Sequence, residues 1–115
     1  MNRACVLITK IPRKTSVNFN CLVEYQNDLT TAARNFKGYI NSNSYWKQED
    51  DSILYSSLTY NTLCNISHWE TTKDWNNWYN SKIRSEIRNQ YIHVLEKEQY
   101  NLLHERKNYS DIPLL

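Results

Sequence analysis

Apolar residues recur along this chain with two periods, and the switches between them outline its elements. Residues 4–11 form a short β-branched run that stops at Pro12, which predicts a strand followed by a turn over residues 12–15. Ser16 is suited to cap a helix. From Val17 onward Leu22, Tyr25, Leu29, Ala32, Ala33 and Phe36 fall at helical spacing, and Gly38 follows as a stop signal. Residues 39–48 read as a second strand, Glu49, Asp50 and Asp51 as an acidic turn, and residues 53–60 as a further extended stretch. Residues 64–69 then form the strand before a second helix. The span between Leu54 and Leu63 exceeds what a minimal hairpin needs, so a bulge or an insertion is expected there, around residues 55–61.

Thr71 or Thr72 can cap a helix over residues 73–88, whose apolar members Trp75, Trp78, Tyr79, Ile83 and Ile87 share one face. That face extends through Tyr91, Val94 and Leu95, so the helix either continues or kinks into another. Residues 99–104 read as the last strand. Residues 106–115 form a polar tail ending in Ile112, Leu114 and Leu115, which leaves residues 1–105 as a single domain. The order βαββαβ predicts an α+β, ferredoxin-like antiparallel sheet with both helices on one side. The other sheet face is then bare, and pairing of two subunits face to face is the usual way to cover it.

Composition narrows the picture further. A chain of 115 residues can bury a sizeable core without metals or disulfides. Cys5, Cys21 and Cys64 are odd in number and lack C-x-x-C spacing, which argues against a disulfide framework or a zinc site and for a reducing, cytoplasmic setting. The N-terminal apolar run is too short and too β-branched for a signal-peptide core, and no stretch approaches a membrane-spanning length. With 14 basic and 12 acidic residues the charge announces no nucleic-acid or membrane partner. A basic stripe of Lys82, Arg84, Arg88 and Lys97 is interrupted by Glu86, Glu96 and Glu98.

The chemistry concentrates in residues 65–88, NISHWETTKDWNNWYNSKIRSEIR, where three of the four Trp residues lie. A strand carrying Asn65 and, four positions on, Trp69, followed by Glu70, a Thr pair, an aromatic residue, Trp-Tyr-Asn-Ser and an Arg-bearing helix, resembles the second half of an antibiotic biosynthesis monooxygenase (ABM) domain. The resemblance implies a ferredoxin-like subunit that pairs into a dimeric α/β barrel. Some members of that family oxidise phenolic polyketides to quinones with molecular oxygen and no flavin, haem or metal. By the resemblance Asn65, Trp69 and Arg88 are the catalytic candidates, Arg88 aligning once one residue is gapped, and Trp75 stands where phenol-oxidising members have Tyr. Trp78 and His68 join Trp75 as candidates for substrate contact. The function implied is cofactor-independent oxygenation of a small aromatic or phenolic substrate by a homodimer.

The residue types suit that chemistry. An Asn amide can hydrogen-bond a phenolate or a peroxide oxygen, Arg can stabilise an anion, and aromatic walls orient a flat substrate. Strand parity puts Asn65, Ser67 and Trp69 on one face and Cys64, Ile66 and His68 on the other, without saying which face the helices cover. Blander readings stand beside each role: Asn65 as a ladder residue, the Trp residues as core or interface anchors, Arg88 as an ion-paired surface residue and His68 as a structural histidine. His93 and His104 match no metal-ligand spacing. The fold also hosts haem-degrading enzymes, whose second helix carries a Trp and, ten residues on, a haem-ligating His. Trp78 matches the Trp, but Arg88 occupies the ligand position, so haem chemistry ranks lower. A non-catalytic dimeric barrel that binds a small hydrophobic ligand or a protein partner is the competing reading.

Overall fold

The computed structural model describes residues 3–13, 18–48 and 61–104. Of the turn expected over residues 12–15, Pro12 closes the first strand, whereas Lys14 and Thr15, the Ser16 cap, the acidic turn at 49–51, the extended stretch at 53–60, nearly all of the insertion around 55–61 and the tail at 106–115 lie outside these residues. The described elements are β1 (Ala4–Pro12), α1 (Asn18–Ala33), β2 (Tyr39–Gln48), β3 (Asn61–Trp69), α2 (Thr72–Tyr79), α3 (Lys82–Tyr91), a 3-10 turn (Ile92–Val94) and β4 (Leu95–His104). The four strands form one sheet in the order β2-β3-β1-β4, and every neighbouring pair is antiparallel. This is the ferredoxin-like α+β arrangement that the hydrophobic periods predict.

β1 alternates strictly between buried and half-buried residues, with Ala4, Val6, Ile8, Lys10 and Pro12 turned inward. The helices cover this face, because Ala4, Val6, Ile8, Leu63 and Trp69 of the sheet join Leu22, Tyr25, Leu29, Trp75 and Trp78 of the helices in one core. Parity along β3 therefore resolves. Asn65, Ser67 and Trp69 lie on the helix side and are buried, whereas Cys64, Ile66 and His68 lie on the opposite face, Cys64 buried there and the other two half-buried.

The second helix departs from its prediction. In place of one helix over residues 73–88 there are two, broken at Asn80 and Ser81. Ser81 adopts an extended backbone and caps α3, its hydroxyl accepting from the Arg84 N–H at 3.2 Å while donating to the Trp78 carbonyl at 2.7 Å. A single Ser thus closes one helix and starts the next, which the unbroken apolar face conceals. Thr71 caps α2 by accepting from the Asp74 N–H at 3.0 Å. β4 begins at Leu95, four residues before the predicted start, because Val94 and Leu95 are buried where the chain enters the sheet. β3 likewise begins three residues early, at Asn61.

Gly38 precedes β2 with φ +89, a conformation that favours glycine. A Cβ there would run into the Cβ, Cγ and Oδ2 atoms of Asp74, so α2 approaches the start of β2 as closely as a bare backbone allows. The Gly38 carbonyl also accepts from the Glu70 N–H at 2.7 Å, tying the end of β3 to the same corner.

Candidate active site

The inner face of β3 and the first face of α2 meet around one small cavity. Asn65, Trp69, Trp75 and Trp78 all line it, so four of the six residues singled out from the sequence converge. Its volume is about 20 Å³, room for roughly one water-sized group. The indoles that line it fill most of the space between helices and sheet. Trp69 is 1% exposed, stacks on Trp78 at 6.4 Å between ring centres and meets Tyr39 edge-on at 5.4 Å. Its indole N–H donates to the Ser67 hydroxyl at 3.1 Å. Trp78 meets Phe36 edge-on at 4.9 Å, and Trp75 packs against Tyr79 and Tyr100 at 4.9 and 5.0 Å. Pocket wall and core anchor are here the same side chains.

Asn65 is held from the neighbouring strand. Its amide nitrogen donates to the Ser44 hydroxyl at 3.0 Å and to the Asn43 carbonyl at 3.3 Å, both on β2. Both amide hydrogens are thereby engaged, and the group it can offer a ligand is its carbonyl oxygen, an acceptor.

His68 does not join this constellation. It sits across the sheet from the cavity, where its Nδ1 lies 3.0 Å from Asn41 Oδ1 and its Nε2 lies 3.5 Å from Cys5 Sγ. The cause is the two-residue repeat of a strand, which turns each neighbour of Trp69 and Ser67 to the other face. A role in contacting substrate within the cavity does not follow for His68.

Arg88 is also outside the cavity lining. Its side chain is 38% exposed and its Nε donates to Glu98 Oε1 at 3.0 Å. The arginine that lines the cavity is Arg84, one helical turn earlier on α3 and buried. Sequence reasoning missed it, along with the group it belongs to. Glu98 on β4 faces Lys10 of β1 in register and lies 3.7 Å from its ammonium and 3.3 Å from Arg84 Nη2. It also accepts from the Tyr25 hydroxyl at 2.9 Å. Lys10, 1% exposed, donates to Gln26 Oε1 at 2.6 Å.

Burial pushes the Lys10 ammonium down to about 8, against the opposing pull of Glu98. For Glu98 burial acts upward, but Lys10, Arg84, the Tyr25 hydroxyl and Arg88 together outweigh it and hold the carboxyl below its ordinary value. Burial, and then the Glu98 charge, raise the Tyr25 phenol well above the usual tyrosine range. The signal that was readable is Lys10 itself: it continues the inward phase of Ala4, Val6 and Ile8.

Among the described residues no group of three or more His, Cys, Asp or Glu side chains is placed to hold a metal ion. No described helix is long and apolar enough to cross a membrane.

No family model matches the sequence, and no curated protein matches it. Solved structures do match over nearly the whole chain. PA3566 from Pseudomonas aeruginosa is 11% identical, with a TM-score of 0.69 over 92% of this chain and 96% of that one. SnoaB, a cofactor-independent oxygenase from Streptomyces nogalater, is 9% identical, with a TM-score of 0.66 over 94% and 97%. A candidate antibiotic biosynthesis monooxygenase from Nitrosomonas europaea is 7% identical, with a TM-score of 0.67 over 92% of both chains. At such identities the likeness is one of fold, and the fold is that of the ABM-type structures.

Proposed function

We propose that this chain is an ABM-type monooxygenase that oxygenates a small aromatic or phenolic substrate without a cofactor, as a homodimer in the cytoplasm. The observation that carries this reading is the convergence of Asn65, Trp69, Trp75 and Trp78 on one cavity, in a fold shared with a cofactor-independent oxygenase. In the overall reaction a phenol and one molecule of oxygen give a quinone and water: one oxygen atom enters a ring carbon and the other leaves with two hydrogens. The Asn65 carbonyl accepts from a substrate hydroxyl other than the oxygen that enters the cavity, and so orients the ring. The indoles hold the ring flat and keep water out. Arg88 acts from outside the cavity as a positioning residue, through its hydrogen bond to Glu98.

The size of the cavity favours a second reading. A volume of about 20 Å³ does not admit an aromatic ring unless the indoles move, as expected of a non-catalytic barrel whose core is filled by its own side chains. Oxygen uptake by the chelator-treated protein over a panel of hydroquinones, naphthols and anthrones separates the two. The monooxygenase reading expects uptake without added cofactor that falls by on the order of tenfold or more in Asn65→Ala and in Trp69→Phe. A folded protein that consumes no oxygen with any of these substrates selects the non-catalytic barrel.

A further inference from the structure

The charges around the cavity do not balance. Lys10, Arg84 and Arg88 all converge on the single carboxylate of Glu98, which leaves an excess of two positive charges in a largely buried group. The hydrogen bonds do not balance either, and the imbalance has one direction. Arg84 Nε and Nη2 are buried without a hydrogen-bond partner, and so is the Trp75 indole N–H. Arg84 Nη2 is near Glu98 Oε2 but not aligned to donate to it, and the guanidinium lies over the Tyr79 ring at 4.4 Å. All three orphaned atoms are donors. Arg84, Trp75 and Lys10 also line the same cavity.

Buried polar groups in folded proteins are almost always paired, so unpaired donors from two elements on one cavity describe a missing acceptor. A water could accept from them but would leave the surplus charge uncompensated. The volume admits one water-sized group, so a bulky tetrahedral dianion does not fit. What fits donors, charge and size together is a single anionic oxygen at the edge of a larger molecule.

We propose that the cavity receives the anionic oxygen of its ligand, from a carboxylate or a phenolate on an aromatic body, with Arg84 and Trp75 donating to it and Lys10 supplying charge. The aromatic body rests on the function proposed above, whereas the preference for an anion does not. Arg84 and Trp75 are thereby specificity-determining residues that select ionised over neutral aromatic molecules.

The test is tryptophan-fluorescence titration of the full chain at pH 7 with 2-naphthoate, 2-naphthol and the neutral 2-naphthylmethanol. Naphthoate is expected to bind at least tenfold more tightly than the methanol analogue. Arg84→Met is expected to reduce that preference to near unity, and Trp75→Phe, which keeps a ring and loses the N–H, to reduce it severalfold, both variants remaining folded by circular dichroism. Raising the pH moves the two anions apart. Naphthoate affinity falls through about pH 8 as Lys10 loses its proton, the other groups facing it being Glu98, Arg84, Tyr25 and Cys64. A phenolate site instead shows naphthol binding that grows as naphthol ionises. Equal affinity for naphthoate and the methanol analogue, with naphthol binding that does not grow as naphthol ionises, overturns the proposal, as does an undiminished preference in Arg84→Met or no binding of any probe. An anion preference without oxygen uptake leaves this proposal standing and removes only the monooxygenase reading.

Discussion

Lys10 occupies a strand position whose inward neighbours are Ile8 and Pro12, and nothing in its own element compensates its charge. Glu98 does so from another strand while also serving Arg84 and Arg88. Removing a shared carboxylate leaves buried cations unpaired, so Glu98→Gln is expected to lower stability by about 3–5 kcal/mol in urea denaturation. Lys10→Met is expected to be close to neutral in the same measurement, because Glu98 keeps Arg84 and Arg88 as partners while a costly buried charge is lost. The pH profile of the native chain carries both signs. The contribution of Glu98 is present above the ordinary carboxylate value and lost as pH falls through its lower folded value. Lys10 takes up protons more readily when unfolded, so its cost fades as pH rises from about 8 toward the ordinary lysine value of 10.5. At this scale the sequence was half legible. The phase of Lys10 along β1 was on the page, but its partner Glu98 depends on a β1-β4 register that no local pattern encodes.

The elements were more legible than the site they build. The β-branched alternation of β1 and the helical spacing of α1 have periods set by backbone geometry, and both elements stand where those periods place them. The break at Asn80 and Ser81 was missed because the apolar stripe continues across it, although a Ser three residues before the Arg84 N–H it receives is an ordinary capping signal. The corner at Gly38 tests how tightly these elements are fitted. Gly38→Ala forces a side chain into a positive-φ position and against Asp74 on α2. A loss of at least about 2 kcal/mol is expected, read as a fall in Tm of roughly 8–16 °C. The displacement would be felt at Trp75, the next residue along α2, so a changed tryptophan emission spectrum should accompany the lower Tm. A variant as stable as the parent, with its spectrum unchanged, refutes the close fit.

Among the described residues the helices cover one face of the sheet, and the other carries Leu7, Thr9, Ile11 and Ile66 half-buried along its centre and Tyr45 and Leu103 exposed toward its edges. A second copy seated there would complete a barrel. Sedimentation equilibrium is expected to give twice the 13.8 kDa of one chain, with Leu7→Arg and Ile66→Lys shifting the distribution toward the monomer. A native chain that sediments as a monomer at all concentrations would leave this face without its proposed cover. The order of strands in the sheet has a consequence for how such a molecule is made. β1 precedes β3 and β4 in the chain yet lies between them in the sheet, so Ala4 waits for Trp69 on one side and His104 on the other. Until β3 and then β4 follow it, a strand of Val, Leu and Ile with Lys10 on its inner face lacks one or both mates, and that lysine is a charge of the kind that keeps an unpaired strand from joining the wrong one.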